Sequence, residues 1–176
     1  MMTRQKKLLF TLAFVFIVPG MLAILLYKYP GFLGGLPTNK GTFITPAKQV
    51  SYLPTEGKGW HVLVWCEDGC SEACLGRMDE MARMRLALGR KLYDVNIWLL
   101  HDKETKACSA KTQEMLKANA IRYQATTDNI LDTESDAEAF VADPRGYLIL
   151  KYMKESPVTK HIYDDLKHLL SAKGGS

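Results

Sequence analysis

Cysteines are the residues in this chain best suited to chemistry, and three of the four, Cys66, Cys70 and Cys74, form a C-x3-C-x3-C run directly behind the apolar stretch Trp60–Trp65. The fourth, Cys108, lies well downstream. The thiolate is the form of cysteine that attacks disulfides and binds soft metals. From Cys74 onward the apolar residues recur at helical spacing (Cys74, Met78, Met81, Leu88) until Gly89 offers a stop. Thiols placed where a strand turns into a helix meet the unpaired backbone N–H groups and positive end of the helix dipole, both of which favour the thiolate. Cys70 is nearest the helix start and is expected to be the most accessible. Cys66, on or just after the strand, is either an inert buried thiol or an alternative partner for Cys70.

The elements that must position these thiols follow from hydrophobic pattern. Residues 61–65 read as a buried strand, apolar except for His61, and Tyr93–Leu100, ending at His101-Asp102, as a second. A helix between them makes the pair parallel, because a crossover of that length cannot be a hairpin. Another helix is expected from about Thr105 or Lys111 to Ala120, and the polar stretch 121–137 has no clear pattern. Glu138–Ala142 and Tyr147–Tyr152 flank Asp143-Pro144-Arg145-Gly146, whose Pro and Gly suit a tight hairpin. A terminal helix from about Pro157 or Thr159 to Ala172 carries the stripe Ile162, Leu166, Leu169, Leu170. The order β-α-β-α-β-β-α is that of an α/β, thioredoxin-like domain.

The first thirty residues differ from the rest. Arg4, Lys6 and Lys7 precede an uncharged apolar run from Leu8 to Tyr27, which as a helix would extend roughly 30 Å, the thickness of a bilayer core. It exceeds a signal-peptide apolar region and no small-x-small cleavage site follows, so it reads as an uncleaved transmembrane anchor. Positive charge before the run puts the N-terminus in the cytoplasm. The expected organisation is a basic cytoplasmic segment 1–7, a single transmembrane helix 8–27, a Gly/Pro-rich linker 28–57 and an extracytoplasmic domain 58–176. In a bacterium this places the domain in the periplasm, anchored to the inner membrane, where cysteine pairs can be oxidised.

The strand followed by C-x-x-x-C and a helix, the D-P-x-G hairpin, the closing Asp164-Asp165-Leu166-Lys167-His168-Leu169-Leu170 helix and the N-terminal anchor resemble the Sco family of membrane-anchored thioredoxin-like proteins, which assist copper assembly of cytochrome c oxidase. The resemblance assigns the family's cysteine pair to Cys70 and Cys74, the first attacking and the second resolving in thiol-disulfide exchange, or both binding Cu(I). The family's distal histidine has no counterpart in Asp132-Thr133-Glu134-Ser135-Asp136, so a copper site would need Cys66, His101 or Cys108 as further ligands. Parallel strands deliver their C-terminal ends to one sheet edge, where these three could meet the pair. No other cofactor is implied. The implied partners are the copper-binding subunit of the oxidase or a copper chaperone, and a non-catalytic assembly factor is the third option.

Other features count for little. Met78, Met81 and Met84 at helical spacing read as core, and His61, His161 and His168 as structural. Arg77, Arg83, Arg85, Arg90 and Lys91 form a solvated helix flank. A net charge of +4 with scattered basic residues implies no nucleic-acid partner, and neither a phosphate-binding loop nor a zinc signature occurs.

Overall fold

A computed structural model of the chain describes residues 4–28, 39–54, 59–105, 107–126, 137–154 and 157–172. It divides into two units, Met1–Thr38 and Asn39–Ser176. The first contains α1 (Arg4–Lys28), with Pro19 inside it. The expected span 8–27 lies within this helix. Among the described residues, however, no helix is long and apolar enough to cross a membrane.

The second unit is built on one six-stranded sheet of order β1-β6-β5-β2-β3-β4. The strands are β1 (Thr42–Gln49), β2 (Trp60–Trp65), β3 (Val95–Asp102), β4 (Ile121–Thr126), β5 (Ala137–Ala142) and β6 (Tyr147–Met153), and the helices are α2 (Glu72–Ala87), α3 (Ala110–Ala118) and α4 (Val158–Ala172). β2, β3 and β4 are mutually parallel; β5 runs antiparallel to β2 and β6, and β1 antiparallel to β6. Two strands exceed the sequence reading. β1 lies in the stretch read as a linker, where Pro46 and Lys48 hide a strand of a kind tolerated at a sheet edge. β4 is the opposite edge, and its half-exposed pattern, with Arg122 and Gln124 among its residues, left no alternation to detect.

One face of the sheet carries the helices. Val62, Val64, Ile97, Leu99, Ala139, Val141 and Leu150 meet Cys74, Met78, Met81 and Met84 of α2, Leu116 of α3 and Ile162, Leu166 and Leu170 of α4 in one buried cluster. The α2 methionines are therefore core, as their spacing implied. On the other face Leu63, Trp98, Leu100, Phe140 and Leu148 pack with Val50 and Leu53, from the connection after β1. The β5–β6 hairpin turns as expected. The Asp143 carboxylate accepts from the N–H groups of Arg145 and Tyr147, both at 2.9 Å, and Gly146 takes φ +83°, open to glycine at little cost.

Two buried polar side chains tie the unit together. Asp165 of α4 accepts from the backbone N–H groups of Lys40, at 2.8 Å, and Gly41, at 2.9 Å, and from the Tyr152 hydroxyl, at 2.8 Å. Burial, then the Asp165 carboxylate, holds that hydroxyl protonated far above its ordinary range. His61, fully buried on β2, accepts at Nδ1 from Trp98 Nε1 at 3.1 Å. Burial first and the Arg122 guanidinium second lower its pKa below 6.5, against a smaller opposing effect of Asp143.

Asp165→Ala strands two buried donors and the part-buried Lys40 N–H and is expected to cost about 3 kcal/mol of unfolding free energy, read from chemical denaturation. Because folding depresses the His61 pKa, the unfolded chain binds the extra proton. The stabilisation is fully present above pH 6.5 and is lost as pH falls below it. A profile of Tm against pH should therefore drop on acidification through pH 6 more steeply in the wild type than in His61→Asn, which keeps an acceptor for Trp98 but does not titrate.

Candidate functional site

β2 ends at Trp65, and the Cys66 N–H continues the ladder by donating to Leu100 O at 2.9 Å. The chain then turns through residues 67–70, with Gly69 at φ +61° and its N–H donating to Cys66 O. The turn is held from outside by a Glu67–Lys154 ion pair at 2.7 Å. Ser71 caps α2 by accepting from the Cys74 N–H, so Cys70 sits one residue before the cap and Cys74 in the first turn.

A second helix start repeats this arrangement. Ser109 caps α3 by accepting from the Thr112 N–H, with Cys108 directly before it. The Cys108 N–H donates to the Tyr123 hydroxyl at 3.1 Å, and its carbonyl accepts from Gln113 Nε2 at 2.9 Å. Both helices thus aim an N-terminus, with its partial positive charge, at a cysteine.

All four cysteines are bonded. Cys66 pairs with Cys74 across a Cα separation of 5.8 Å, and Cys70 with Cys108 across 5.2 Å, both inside the range a disulfide spans. The expected partners Cys70 and Cys74 are therefore joined to other cysteines. Cys74, one turn into α2, faces the core beside the end of β2; Cys70, before the cap, reaches the start of α3. Exposure separates the bonds: Cys66, Cys74 and Cys108 retain 3%, 2% and 5% of their surface, whereas Cys70 is only half-buried.

His101, near the end of β3, is 2% exposed. Its ring stacks on Tyr123 of β4 with centroids 4.8 Å apart, and neither ring nitrogen has a hydrogen-bond partner among the described residues. The β2–β3 register puts Cys66 beside His101, and the disulfides bring Cys74 to Cys66 and Cys108 to Cys70. As a metal centre the set does not fit in this form, because every sulfur is spent in a disulfide, and among the described residues no group of His, Cys, Asp or Glu could hold a metal ion. The segment in which the distal histidine was sought, 132–136, lies outside the described residues.

Two features escaped the sequence reading. The Cys-Ser dipeptide occurs at both 70–71 and 108–109, each before a helix, and marked both thiols as cap neighbours. Tyr123 left no comparable signal, because it lies on the unpatterned edge strand.

Residues 60–172 match the family model described as the transmembrane-like, thioredoxin-like, C-terminal domain. The chain belongs to that family. Its fold is thioredoxin-like, and the chain is similar to solved structures that include apo Sco1 from Thermus thermophilus, 14% identical, covering 77% of this chain and 99% of that one at a TM-score of 0.49. Copper-bound ScoI from Bradyrhizobium japonicum is 12% identical, covering 64% and 86% at 0.46. A thiol:disulfide interchange protein from a Bacteroides species is 10% identical, covering 76% and 92% at 0.46. Likeness at this level carries nothing about activity. No curated relative matches the chain.

The difference in exposure gives a direct expectation. Limiting reductant should open Cys70–Cys108 before Cys66–Cys74, and alkylation with peptide mapping should label Cys70 and Cys108 first.

Proposed function

We propose that this thioredoxin-like domain is a thiol-disulfide oxidoreductase that works through Cys70 and keeps a client thiol pair reduced. The observation that carries the reading is that the one half-buried cysteine shares its disulfide with a second cysteine, and both precede serine-capped helix N-termini. Helix N-termini lower thiol pKa values and so raise the thiolate fraction at neutral pH. In the reduced protein the Cys70 thiolate attacks a client disulfide, forming a Cys70–client bond and expelling one client thiolate. Cys108 then attacks Cys70 Sγ, closing the observed bond and releasing the second client thiolate. The two electrons come from the two protein thiols, and two protons follow them to the client. The resolving role first given to Cys74 passes to Cys108.

The resemblance to the Sco family supplies the client class: the copper-binding subunit of cytochrome c oxidase, or a copper chaperone, whose cysteines must be reduced before metal loading. Placement in the periplasm behind an inner-membrane anchor rests on the uncharged run 8–27 and the basic residues before it. A second reading, Cu(I) carriage by Cys70 and Cys74 with Cys66, Cys108 or His101, is favoured by the gathering of these residues at one edge. It requires the reduced protein, since no thiolate is free in the oxidised one.

With the Cys66–Cys74 disulfide left oxidised, Cys108→Ser should trap a mixed disulfide between Cys70 and a model dithiol client, visible on a non-reducing gel, while Cys70→Ser forms none. Trapping through another cysteine would refute the assignment. Stoichiometric Cu(I) uptake by the reduced chain that is lost in the Cys70→Ser, Cys74→Ser double variant would favour the second reading.

A further inference from the structure

Cys66–Cys74 is the site that the exchange reaction leaves unused, and it has its own polar neighbour. β2 and β3 pair in parallel register with Val64 opposite Leu99 and Trp65 opposite Leu100. The Cys66 N–H bond to Leu100 O carries this ladder one step further, so Cys66 and His101 occupy the next rung, about 5 Å apart along the hydrogen-bonding direction. Side chains opposite one another in a parallel pair share a face. Val64 and Leu99 lie in the helix-covered cluster with Cys66, and His101, two residues beyond Leu99, projects to that face. On its other flank is Tyr123, whose hydroxyl receives the Cys108 N–H. A buried imidazole with both nitrogens unpartnered among the described residues therefore stands between the strand end bearing one disulfide and the tyrosine bound to the other. Cys66 lies beside it just after β2 and Tyr123 of β4 stacks on it, and neither ring nitrogen has a hydrogen-bond partner among the described residues.

We propose that Cys66 and Cys74 form an internal dithiol that recharges the Cys70–Cys108 pair, with His101 as the proton acceptor for Cys66. The inference rests on the exchange reading above. Starting from a Cys70–Cys108 disulfide and two internal thiols, the Cys74 thiolate attacks Cys70 Sγ, forming a Cys70–Cys74 bond and expelling the Cys108 thiolate. Cys66 then attacks Cys74 Sγ as His101 takes its proton, closing Cys66–Cys74 and releasing the Cys70 thiolate. One disulfide is lost and one formed, and the two thiol protons pass to Cys70 and Cys108, that of Cys66 by way of His101. No outside oxidant or reductant enters. A fully reduced molecule then delivers two electron pairs through one accessible sulfur, and the observed state with two disulfides is its spent form.

The test gives the fully reduced full-length chain one equivalent of oxidised glutathione, quenches it over time, alkylates it and maps the disulfides. The expected record is Cys70–Cys108 first, then migration to Cys66–Cys74 with Cys70 and Cys108 recovered as thiols. A bond that forms at Cys70–Cys108 and stays there overturns the internal store while leaving the exchange reading intact. A first bond that omits Cys70 overturns the exchange reading itself. In His101→Asn, with His101→Gln as a second variant, migration should slow about a hundredfold while the first bond forms at the wild-type rate. Wild-type migration should depend less on pH than migration in the variants, because a neighbouring base takes the Cys66 proton. The variants should instead speed up about tenfold per pH unit as the thiol ionises unaided. A structural role would scale the rate without altering the profile, so an unchanged profile overturns the assignment to His101.

Discussion

The parallel register of β2 against β3 decides where all the chemistry lies. Trp65 faces Leu100, and the ladder runs on through the Cys66 N–H, so Cys66 and His101 leave the sheet side by side. Shifting β2 by one residue would turn Cys66 to the opposite face, away from α2 and from any bond with Cys74. The register is fixed because both faces are filled: Val62 and Val64 belong to one core cluster and Leu63 to the other. A slip would exchange each set for residues shaped to the wrong neighbours. Core packing thus acts on function by fixing which residues share the edge.

Two opposed effects act on the thiols at that edge. Burial disfavours thiolates, and three of the four cysteines are almost wholly enclosed. Helix N-termini favour thiolates, and Cys70 and Cys108 stand directly before the caps of α2 and α3. Cys70, half-buried and at a helix start, meets the second effect with the least opposition from the first. Cys66 has no helix end of its own and lies in the core cluster, which makes it inert unless a base removes its proton. An otherwise identical pair of disulfides is divided by these surroundings into an outer and an inner one.

Much of this was legible in the sequence because it rests on local pattern. The strand before the cysteines, α2 and its methionine core face, the D-P-x-G hairpin and α4 each carry a periodicity or turn chemistry that survives without context. The edge strands β1 and β4 do not: half of an edge strand faces solvent, and Pro46 in β1 argues against a strand unless its edge position is known. That Cys66 and His101 stand side by side followed from parallel strands alone. The connectivity did not, because it depends on which way Cys70 and Cys74 face around the first turn of α2; the pair Cys70 and Cys74 came from the family resemblance, and the structure joins each to another cysteine. The repeated Cys-Ser dipeptide was the available clue.

Loop length appears at first to rank the two disulfides. Their cysteines are 38 and 8 residues apart, and the longer loop removes more entropy from the unfolded chain, about 4 against about 2.5 kcal/mol. Within the native state that difference cancels. An unfolded chain closes the longer loop less readily by the same amount, and folding makes good the shortfall by holding the ends together. What remains is the stability of the reduced partners in the folded protein. Thiolates at Cys70 and Cys108 gain from two helix N-termini, roughly 0.3–1 kcal/mol each, whereas of the inner pair only Cys74, buried in the first turn of α2, has one and Cys66 has none. Electrons shared among the four sulfurs therefore favour the outer pair and leave the oxidised bond on the inner one, at the cysteine whose proton a neighbouring imidazole is placed to take.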